Sequence, residues 1–137
     1  MQPQYREQSV KTEQISAGPF QKALDSLTKI LKEKKTDIVR DATIQRFEYT
    51  FELSWKLLKR YLESQQNVIE PSIKNLFREA GKLGLIDSVE DWFTYLDARN
   101  RTSHTYNEAT AEEVFIVAKK FEHSAQFMKN RLEKLLE

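Results

Sequence analysis

The sequence lacks cysteine and is poor in glycine and proline. Without cysteine, disulfide bonds and thiolate chemistry are excluded. Three glycines and three prolines in 137 residues leave few positions for β-hairpin turns. The longest unbroken apolar run, from Val114 to Ala118, is far shorter than the roughly 20 residues that cross a bilayer. The N-terminal stretch MQPQYREQSVKTEQ has no apolar segment of the signal-peptide type. We therefore expect a cytoplasmic protein that does not enter a membrane.

An excess of positive charge is also absent. Lysine and arginine total 22 against 21 acidic residues, which leaves a net charge of +1. Proteins that bind nucleic acid through many phosphates usually carry a marked basic excess. Any contact with RNA must therefore be local or shared with a second subunit. Charged residues make up 31% of the chain, and this composition with so few turn residues is typical of a helical bundle.

Helical periodicity covers most of the chain after a polar, aperiodic start. Residues 1–17 are predicted to form a flexible tail, and residues 18–137 a single helical domain. A first helix is predicted at 18–35, with an apolar face formed by Phe20, Leu24, Leu27 and Leu31. A long second helix is predicted from Thr36 or Asp37 to about Gln66. Its apolar stripe consists of Ile44, Phe47, Phe51, Ser54, Leu58 and Tyr61.

Three further helices are predicted in the second half of the chain. A short one starts with Pro71 in its first turn and ends at Gly81 or Gly84. The next is capped by Ser88 or Asp87. Its inward face carries Trp92, Leu96 and Arg99.

The last predicted helix begins with a capping box formed by Thr110 and Glu113. Its apolar seam consists of Val114, Ala118, Phe121, Ala125, Met128, Leu132 and Leu135. The predicted fold class is therefore all-α, an antiparallel up-and-down four-helix bundle with one additional short helix.

The aromatic residues of the second helix suggest self-association. Phe47, Phe51, Trp55 and Tyr61 give this helix an apolar surface wider than one intramolecular neighbour needs. We read the ladder of Phe47, Phe51 and Trp55 as core or dimer interface rather than as a platform for stacking bases. The sequence predicts a two-fold homodimer.

The stretch DARNRTSHTYN, residues 97–107, concentrates the polar chemistry of the chain. The sequence has no glycine-rich phosphate loop, no metal-ligand spacing and no Asp-x-Asp pair after a Gly-Ser turn. A serine triad built from Ser103, His104 and Asp97 is excluded by geometry, because adjacent residues cannot adopt it. Arg99 and His104, with Asn100 and Tyr106 beside them, are the groups that remain.

Arg99 and His104 together could cleave RNA without a metal. Histidine can take the 2′-hydroxyl proton or protonate the leaving oxygen. Arginine can bind the phosphate through two parallel hydrogen bonds and stabilise its growing charge. On one continuous helix these two residues lie about 140° apart. They converge only if the helix ends near His104, or if a second subunit contributes to the same site.

A plainer interpretation of the same stretch is a solvated helix end. In that case Arg99 pairs with Asp97 or with an acid on a neighbouring helix. His123, the only other histidine, is predicted to lie on the surface because it is off the seam of the last helix.

The spacing R-x-x-x-x-H-x-Y, present as Arg99, His104 and Tyr106, resembles the HEPN superfamily of helical bundles. The blocks RFEYTFELSWKLLKRYLE (46–63), LFREAGKLGLID and RNRTSHTYNE resemble one branch of it, the nucleotidyltransferase substrate-binding proteins. The resemblance covers about residues 20–135. It implies a homodimer that assembles with a minimal nucleotidyltransferase into a larger complex, and this partner would supply the missing Asp-x-Asp.

The resemblance implies two alternative functions. In the first, the bundle is a metal-independent ribonuclease toxin that the transferase silences by attaching AMP. Arg99 and His104 are then catalytic, Asn100 supports them and Tyr106 accepts the AMP, with no cofactor or metal. In the second, a non-catalytic subunit binds nucleotide or substrate for the transferase. The sequence does not separate them, since the same side chains would bind a phosphate or cleave beside it.

Overall fold

The computed structural model describes residues 18–65 and 72–136. Within these ranges the chain forms five α-helices and no strand. They are α1 (Gly18–Ile30), α2 (Asp37–Gln65), α3 (Ile73–Lys82), α4 (Val89–Asn100) and α5 (Glu108–Leu136), with a 3₁₀ turn at Thr102–His104. None of these helices is long and apolar enough to span a membrane. The predicted tail, 1–17, lies outside the described residues.

The first helix runs antiparallel to the last. Near the end of α1, Thr28 donates a hydrogen bond to Glu122, well inside α5. A few residues further on, Lys35 pairs with Glu112, close to the beginning of α5. Contacts therefore move toward the start of α5 as the chain advances along α1.

The fourth helix is also antiparallel to α5, whereas α2 is parallel to it. Tyr95 of α4 contacts Ser124, and Arg101, just after α4, contacts Glu113. The start of α2 lies at the start of α5, where Arg40 binds Glu108. The four long helices thus alternate in direction, and the short α3 packs at the end where α2 finishes and α4 begins. The predicted up-and-down bundle is confirmed.

An aromatic cluster centred on Phe121 forms the core. The Phe121 ring lies 5.3 Å from Phe47, 5.9 Å from Phe51, 5.6 Å from Trp92 and 5.3 Å from Tyr95, between ring centroids, mostly edge to face. All five side chains are fully buried. Edge-to-face pairs add about 0.5–1.5 kcal/mol each beyond the burial of their area. The aromatic stripe of α2 is therefore used largely inside the subunit, and it does not by itself require a second chain.

The predicted apolar faces of α1, α2 and α5 are confirmed, with differences at their ends. On α4 the buried side chains are Trp92, Tyr95 and Ala98, so the predicted inward face is wrong at Leu96 and Arg99, which are only partly buried. The α5 seam is fully buried from Val114 to Leu132, whereas Leu135 is 53% exposed. The first helix ends at Ile30 and not at residue 35, because the chain turns there with bonds from Lys32 and Glu33 to carbonyls three residues back. The lysine-rich segment that follows is a connection and not helix.

Two predicted N-termini are set by serine caps. Ser72 accepts a bond from the Asn75 amide at 3.1 Å and caps α3, which begins at Ile73. Pro71, predicted in the first turn, lies outside the described residues. Ser88, one of the two predicted alternatives, caps α4 by accepting from the Asp91 amide at 3.2 Å.

The short helix α3 ends at Lys82 with Leu83 as its C-cap, and Gly84, one of the two predicted alternatives, follows the cap. Gly84 has φ +73°, and the Leu85 amide bonds to the Ala80 carbonyl at 2.9 Å. These are the features of a Schellman ending, in which glycine is preferred.

The predicted capping box of the last helix is wrong. α5 begins three residues earlier than predicted, at Glu108, because Asn107 and not Thr110 caps it by accepting from the Thr110 amide at 3.1 Å. Asparagine caps helices at least as well as threonine. Glu113, the other half of the predicted box, instead pairs with Arg101.

A chain of polar groups runs from the buried Tyr95 of α4 through Ser124 of α5 to the exposed Asp87. The Tyr95 hydroxyl lies 2.6 Å from the Ser124 hydroxyl, which donates to Asp87 at 2.9 Å. The Trp92 indole donates to the same carboxylate at 3.3 Å. Burial is the main cause that raises the pKa of Tyr95 to about 12. This network satisfies polar groups that would otherwise be costly to bury.

Candidate functional site

The predicted site residues lie at the turn between α4 and α5. The helix ends at Asn100, and Arg101 closes it with its amide bonded to the carbonyls of Asp97 and Ala98. One 3₁₀ turn then leads to His104, whose amide bonds to the Arg101 carbonyl at 2.9 Å. Arg99 and His104 therefore do not belong to one continuous helix. This is the condition under which the sequence allows the two side chains to converge within one subunit.

Arg99 is held by an acid on the neighbouring helix α2. Its Nη2 lies 2.6 Å from Oε1 of Glu52, and its side chain is 36% exposed. It therefore lies at the surface, in contrast to the inward position predicted beside Trp92. Its Nε is buried and has no hydrogen-bond partner among the described residues. The ion pair is the contact that the solvated-helix interpretation anticipates, and it makes Glu52 part of the site.

His104 and Tyr106 lie side by side. Their ring centroids are 6.0 Å apart, with the rings at 70° to each other. Both side chains are exposed, Tyr106 at 84%, as is Asn100. An exposed aromatic ring beside an exposed imidazole leaves both the phenol oxygen and the ring nitrogens open to a ligand. The structure thus brings the imidazole and the phenol together and holds Arg99 separately, on Glu52.

The second arginine of the motif, Arg101, fastens the turn to α5. Its Nη1 donates to Glu113 at 2.6 Å. Its Nε lies 3.2 Å from Asp97, close enough for ion pairing but without the alignment of a hydrogen bond. Asp97, a predicted partner for Arg99, is thus taken by Arg101.

Arg40, at the start of α2, binds the first residue of α5 next to the site. The sequence pattern does not single it out. Its side chain is only 4% exposed. It donates two bonds to Glu108, at 2.8 and 3.2 Å, one to Glu112 at 3.0 Å and one to Asp41 at 3.0 Å. Glu108 is the first residue of α5 and follows Tyr106 closely. Arg40 thereby links the start of α2 to the residue that follows the turn between α4 and α5.

Electrostatics at this cluster favour the charged forms of Arg40, Glu108 and Glu112. Hydrogen bonds, first from Glu108 and then from Glu112 and Asp41, raise the pKa of Arg40 and outweigh the opposing effect of burial. Arg40 lowers the pKa of Glu108, and Lys35 together with Arg40 lowers the pKa of Glu112. No signal in the sequence marks this cluster, because the partners lie on different helices.

His123 is confirmed as a surface residue, with its side chain 86% exposed. Over the described ranges, no group of three or more histidine, cysteine or carboxylate side chains is placed to hold a metal ion. The chemistry available at the turn is that of an imidazole, a phenol, an amide and a guanidinium.

Comparisons with known proteins identify the family. Residues 16–134 match the family described as nucleotidyltransferase substrate binding protein like. A "probable ribonuclease HepT" of Haemophilus influenzae is 36% identical over 110 residues, which is 73% of this chain and 74% of that protein. A crystal structure of a Thermus thermophilus protein matches with a TM-score of 0.76 at 34% identity, covering 82% of this chain and 98% of the other.

A second solved structure carries a description of function. It is a Haemophilus influenzae protein said to reveal the fold of a substrate binding domain of a nucleotidyltransferase. It matches with a TM-score of 0.76 at 29% identity, over 86% of this chain and 99% of that one. Since the family match spans most of the sequence, the chain belongs to the nucleotidyltransferase substrate-binding protein-like family.

Proposed function

We propose that this chain is a ribonuclease toxin that pairs with a minimal nucleotidyltransferase, which neutralises it by attaching AMP to Tyr106. The observation that carries the proposal is the exposed pair of His104 and Tyr106, with ring centroids 6.0 Å apart. A modification on the phenol would occupy the space in front of the imidazole. The 36% identity to a probable ribonuclease supports the same assignment.

Each side chain has a defined task in this proposal. His104 accepts the proton of a ribose 2′-hydroxyl, and the oxygen attacks the adjacent phosphorus. The bond from phosphorus to the 5′ oxygen breaks, and that oxygen takes a proton from water or from the imidazole of a second subunit. Arg99 stabilises the charge on the phosphoryl oxygens. Asn100, exposed at the end of α4, supports the substrate or the two catalytic groups.

The proposal includes a homodimer with the turn near a shared cleft. The outer face of the first half of α2 exposes Ile38, at 82%, and Tyr49, at 40%. Covering exposed apolar side chains favours association. Light scattering should give twice the monomer mass, and Ile38→Lys should shift the equilibrium to monomer. A monomer mass at every accessible concentration contradicts this part of the proposal.

A second candidate function is a non-catalytic subunit that binds nucleotide or substrate for the transferase. The ion pair between Arg99 and Glu52 favours it, because the arginine is already neutralised. The description of the Haemophilus influenzae structure as a substrate binding domain favours it as well. In this function Arg99 would exchange Glu52 for a ligand phosphate without cleaving anything.

The variant His104→Ala separates the two functions. A group that moves a proton in the transition state commonly contributes 10²- to 10⁴-fold to the rate, so cleavage of RNA should fall by about this factor. RNA affinity should change little. Ser103→Ala, an exposed neighbour in the same turn, is the matched control and should cleave normally. If neither the wild type nor His104→Ala cleaves RNA, the result favours the binding subunit.

Tyr106 supplies an independent test. Incubation with the partner transferase, ATP and magnesium should add the mass of AMP to the wild type and not to Tyr106→Phe. Tyr49→Phe, which removes another exposed phenol, should still be modified. Modification at another residue, or none, would remove AMP attachment at Tyr106 from the proposal.

A further inference from the structure

The second half of α2 carries a concentration of positive charge. We define the basic α2 face by Trp55, Lys56, Lys59 and Arg60, which line a surface cavity of about 280 Å³ together with Glu63. Three cations therefore face one carboxylate, in a chain whose total net charge is only +1. The charge on this face is local, as the sequence requires of any RNA contact.

The three cations of this face make at most weak ion pairs with the described residues. Lys56 lies 4.0 Å from Glu52, and Lys59 lies 4.0 Å from Glu63, both at the outer limit for an ion pair. The side chains of these lysines are 53% and 47% exposed. Arg60 is exposed and makes no ion pair with any residue that the structure describes. Such exposed pairs are worth at most about 1 kcal/mol, so a phosphate can replace them.

Trp55 also lines this cavity, and Lys56 Nζ lies 6.0 Å from the centre of its ring. The cavity therefore places a cation beside an aromatic side chain. This combination suits a nucleic acid strand, whose phosphates are anionic and whose sugars are less polar.

The basic α2 face is continuous with the candidate site. Glu52 binds Arg99 at 2.6 Å and lies one helical turn before Lys56. Lys56 and Arg60 are again one turn apart, which places their Cβ atoms about 5–6 Å from each other. Cations thus follow one another from Arg99 along the outer surface of α2.

We propose that the basic α2 face binds the ribose–phosphate backbone of a single-stranded RNA that extends away from Arg99. This inference rests on the proposed function and names its substrate class: a strand several nucleotides long, held by its phosphates and not read by base sequence. Phosphate contacts fix the position of a strand and carry no sequence information directly.

The salt dependence of binding tests this inference. A fluorescently labelled single-stranded RNA with 2′-O-methyl riboses, which has no 2′-hydroxyl to react, is titrated with the protein over a series of KCl concentrations. Each phosphate contact contributes about 0.7 to the slope of log K against log salt for a single strand. The triple variant Lys56→Gln/Lys59→Gln/Arg60→Gln should lower the slope by about 2 and weaken binding at low salt at least about tenfold.

A matched control removes the same charge elsewhere. Lys22→Gln/Lys29→Gln/Lys32→Gln affects exposed lysines on and just after α1 and should leave the slope nearly unchanged. Equal slopes for the two triple variants would overturn the inference. A variant that binds RNA normally but no longer binds the partner transferase would overturn it too, and would assign this face to an acidic protein surface.

Cleavage kinetics distinguish failure of this inference from failure of the proposed function. The α2 triple variant should lose a larger factor in kcat/KM on a longer single strand than on a dinucleoside monophosphate, which reaches only the Arg99 and His104 groups. An equal loss on the two substrates would contradict the inference. If the wild type cleaves neither substrate, the proposed ribonuclease function fails, while the binding slopes still decide the role of the basic α2 face.

Discussion

The change Arg40→Met removes the hydrogen bonds that join the start of α2 to the start of α5 and keeps most of the side-chain volume. Arg40 makes four bonds to carboxylates. Hydrogen bonds to charged groups are worth about 1.5–3 kcal/mol when both partners are desolvated. Here the side chains of Asp41, Glu108 and Glu112 are 62%, 73% and 42% exposed and regain water after the change. Exposed pairs contribute about 0–1 kcal/mol each, so for three carboxylates we expect a loss of about 1–3 kcal/mol in the free energy of unfolding.

Urea denaturation measures this loss and its dependence on pH. Because Arg40 lowers the pKa of both glutamates, its contribution is present above their usual pKa of about 4.3 and is lost as pH falls through the lowered values. The difference between wild type and Arg40→Met should therefore shrink below about pH 4. Arg60→Met, at an exposed arginine without an ion pair to described residues, should stay within about 0.5 kcal/mol of wild type. A loss at Arg40 no larger than at Arg60, or one independent of pH, would refute the reasoning.

Three further changes test the core and the ends of the helices. The pKa of Tyr95 is raised to about 12, so its stabilising effect is present below its usual pKa of about 10 and is lost as pH rises toward 12; Tyr95→Phe should abolish this alkaline decline in unfolding free energy. Gly84→Ala should cost about 1–2 kcal/mol in chemical denaturation, because φ is +73° there, whereas the added Cβ meets only the flexible end of Arg131 at 3.0 Å. Phe121→Ala, at the centre of the aromatic cluster, should cost about 3–5 kcal/mol by the same measurement.

The long helices could be predicted from the sequence because their apolar spacing is repeated over many turns. The second helix was expected from residue 36 or 37 to about 66, and α2 spans Asp37–Gln65. Helix ends were less well predicted, since several residues compete to cap them. Asn107 and Thr110 are both good caps, and the backbone turn after His104 decides in favour of Asn107. That turn is a three-dimensional feature that the sequence pattern does not contain.

The turn residues of the candidate site were predicted, but their partners were not. Arg99, His104 and Tyr106 form a spacing that can be recognised in one segment. Neither Glu52 nor Arg40 is singled out by the sequence pattern. Ion pairs such as Arg40 with Glu108, which are 68 residues apart, leave no periodic trace because they depend on how two helices are brought together. Only a structure reveals that the two motif arginines, Arg99 and Arg101, each have an acidic partner on another helix.

The distribution of charge along α2 reconciles a nearly neutral protein with the binding of a polyanion. At the start of α2, exposed carboxylates of Asp37, Asp41, Glu108 and Glu112 surround the single buried Arg40. At its end lies the basic α2 face, and Arg99 joins the helix near its middle through Glu52. In the proposed function, the first region would repel an RNA strand and the second would attract it, so a strand bound at Arg99 would extend toward the C-terminal half of α2. Because salt at about 0.15 M screens exposed charges beyond about 8 Å, this preference acts only on the nucleotides next to the bundle. The total charge of +1 is therefore compatible with the proposed local binding of RNA, and the separation of charge along α2 would make the strand extend to one side of Arg99.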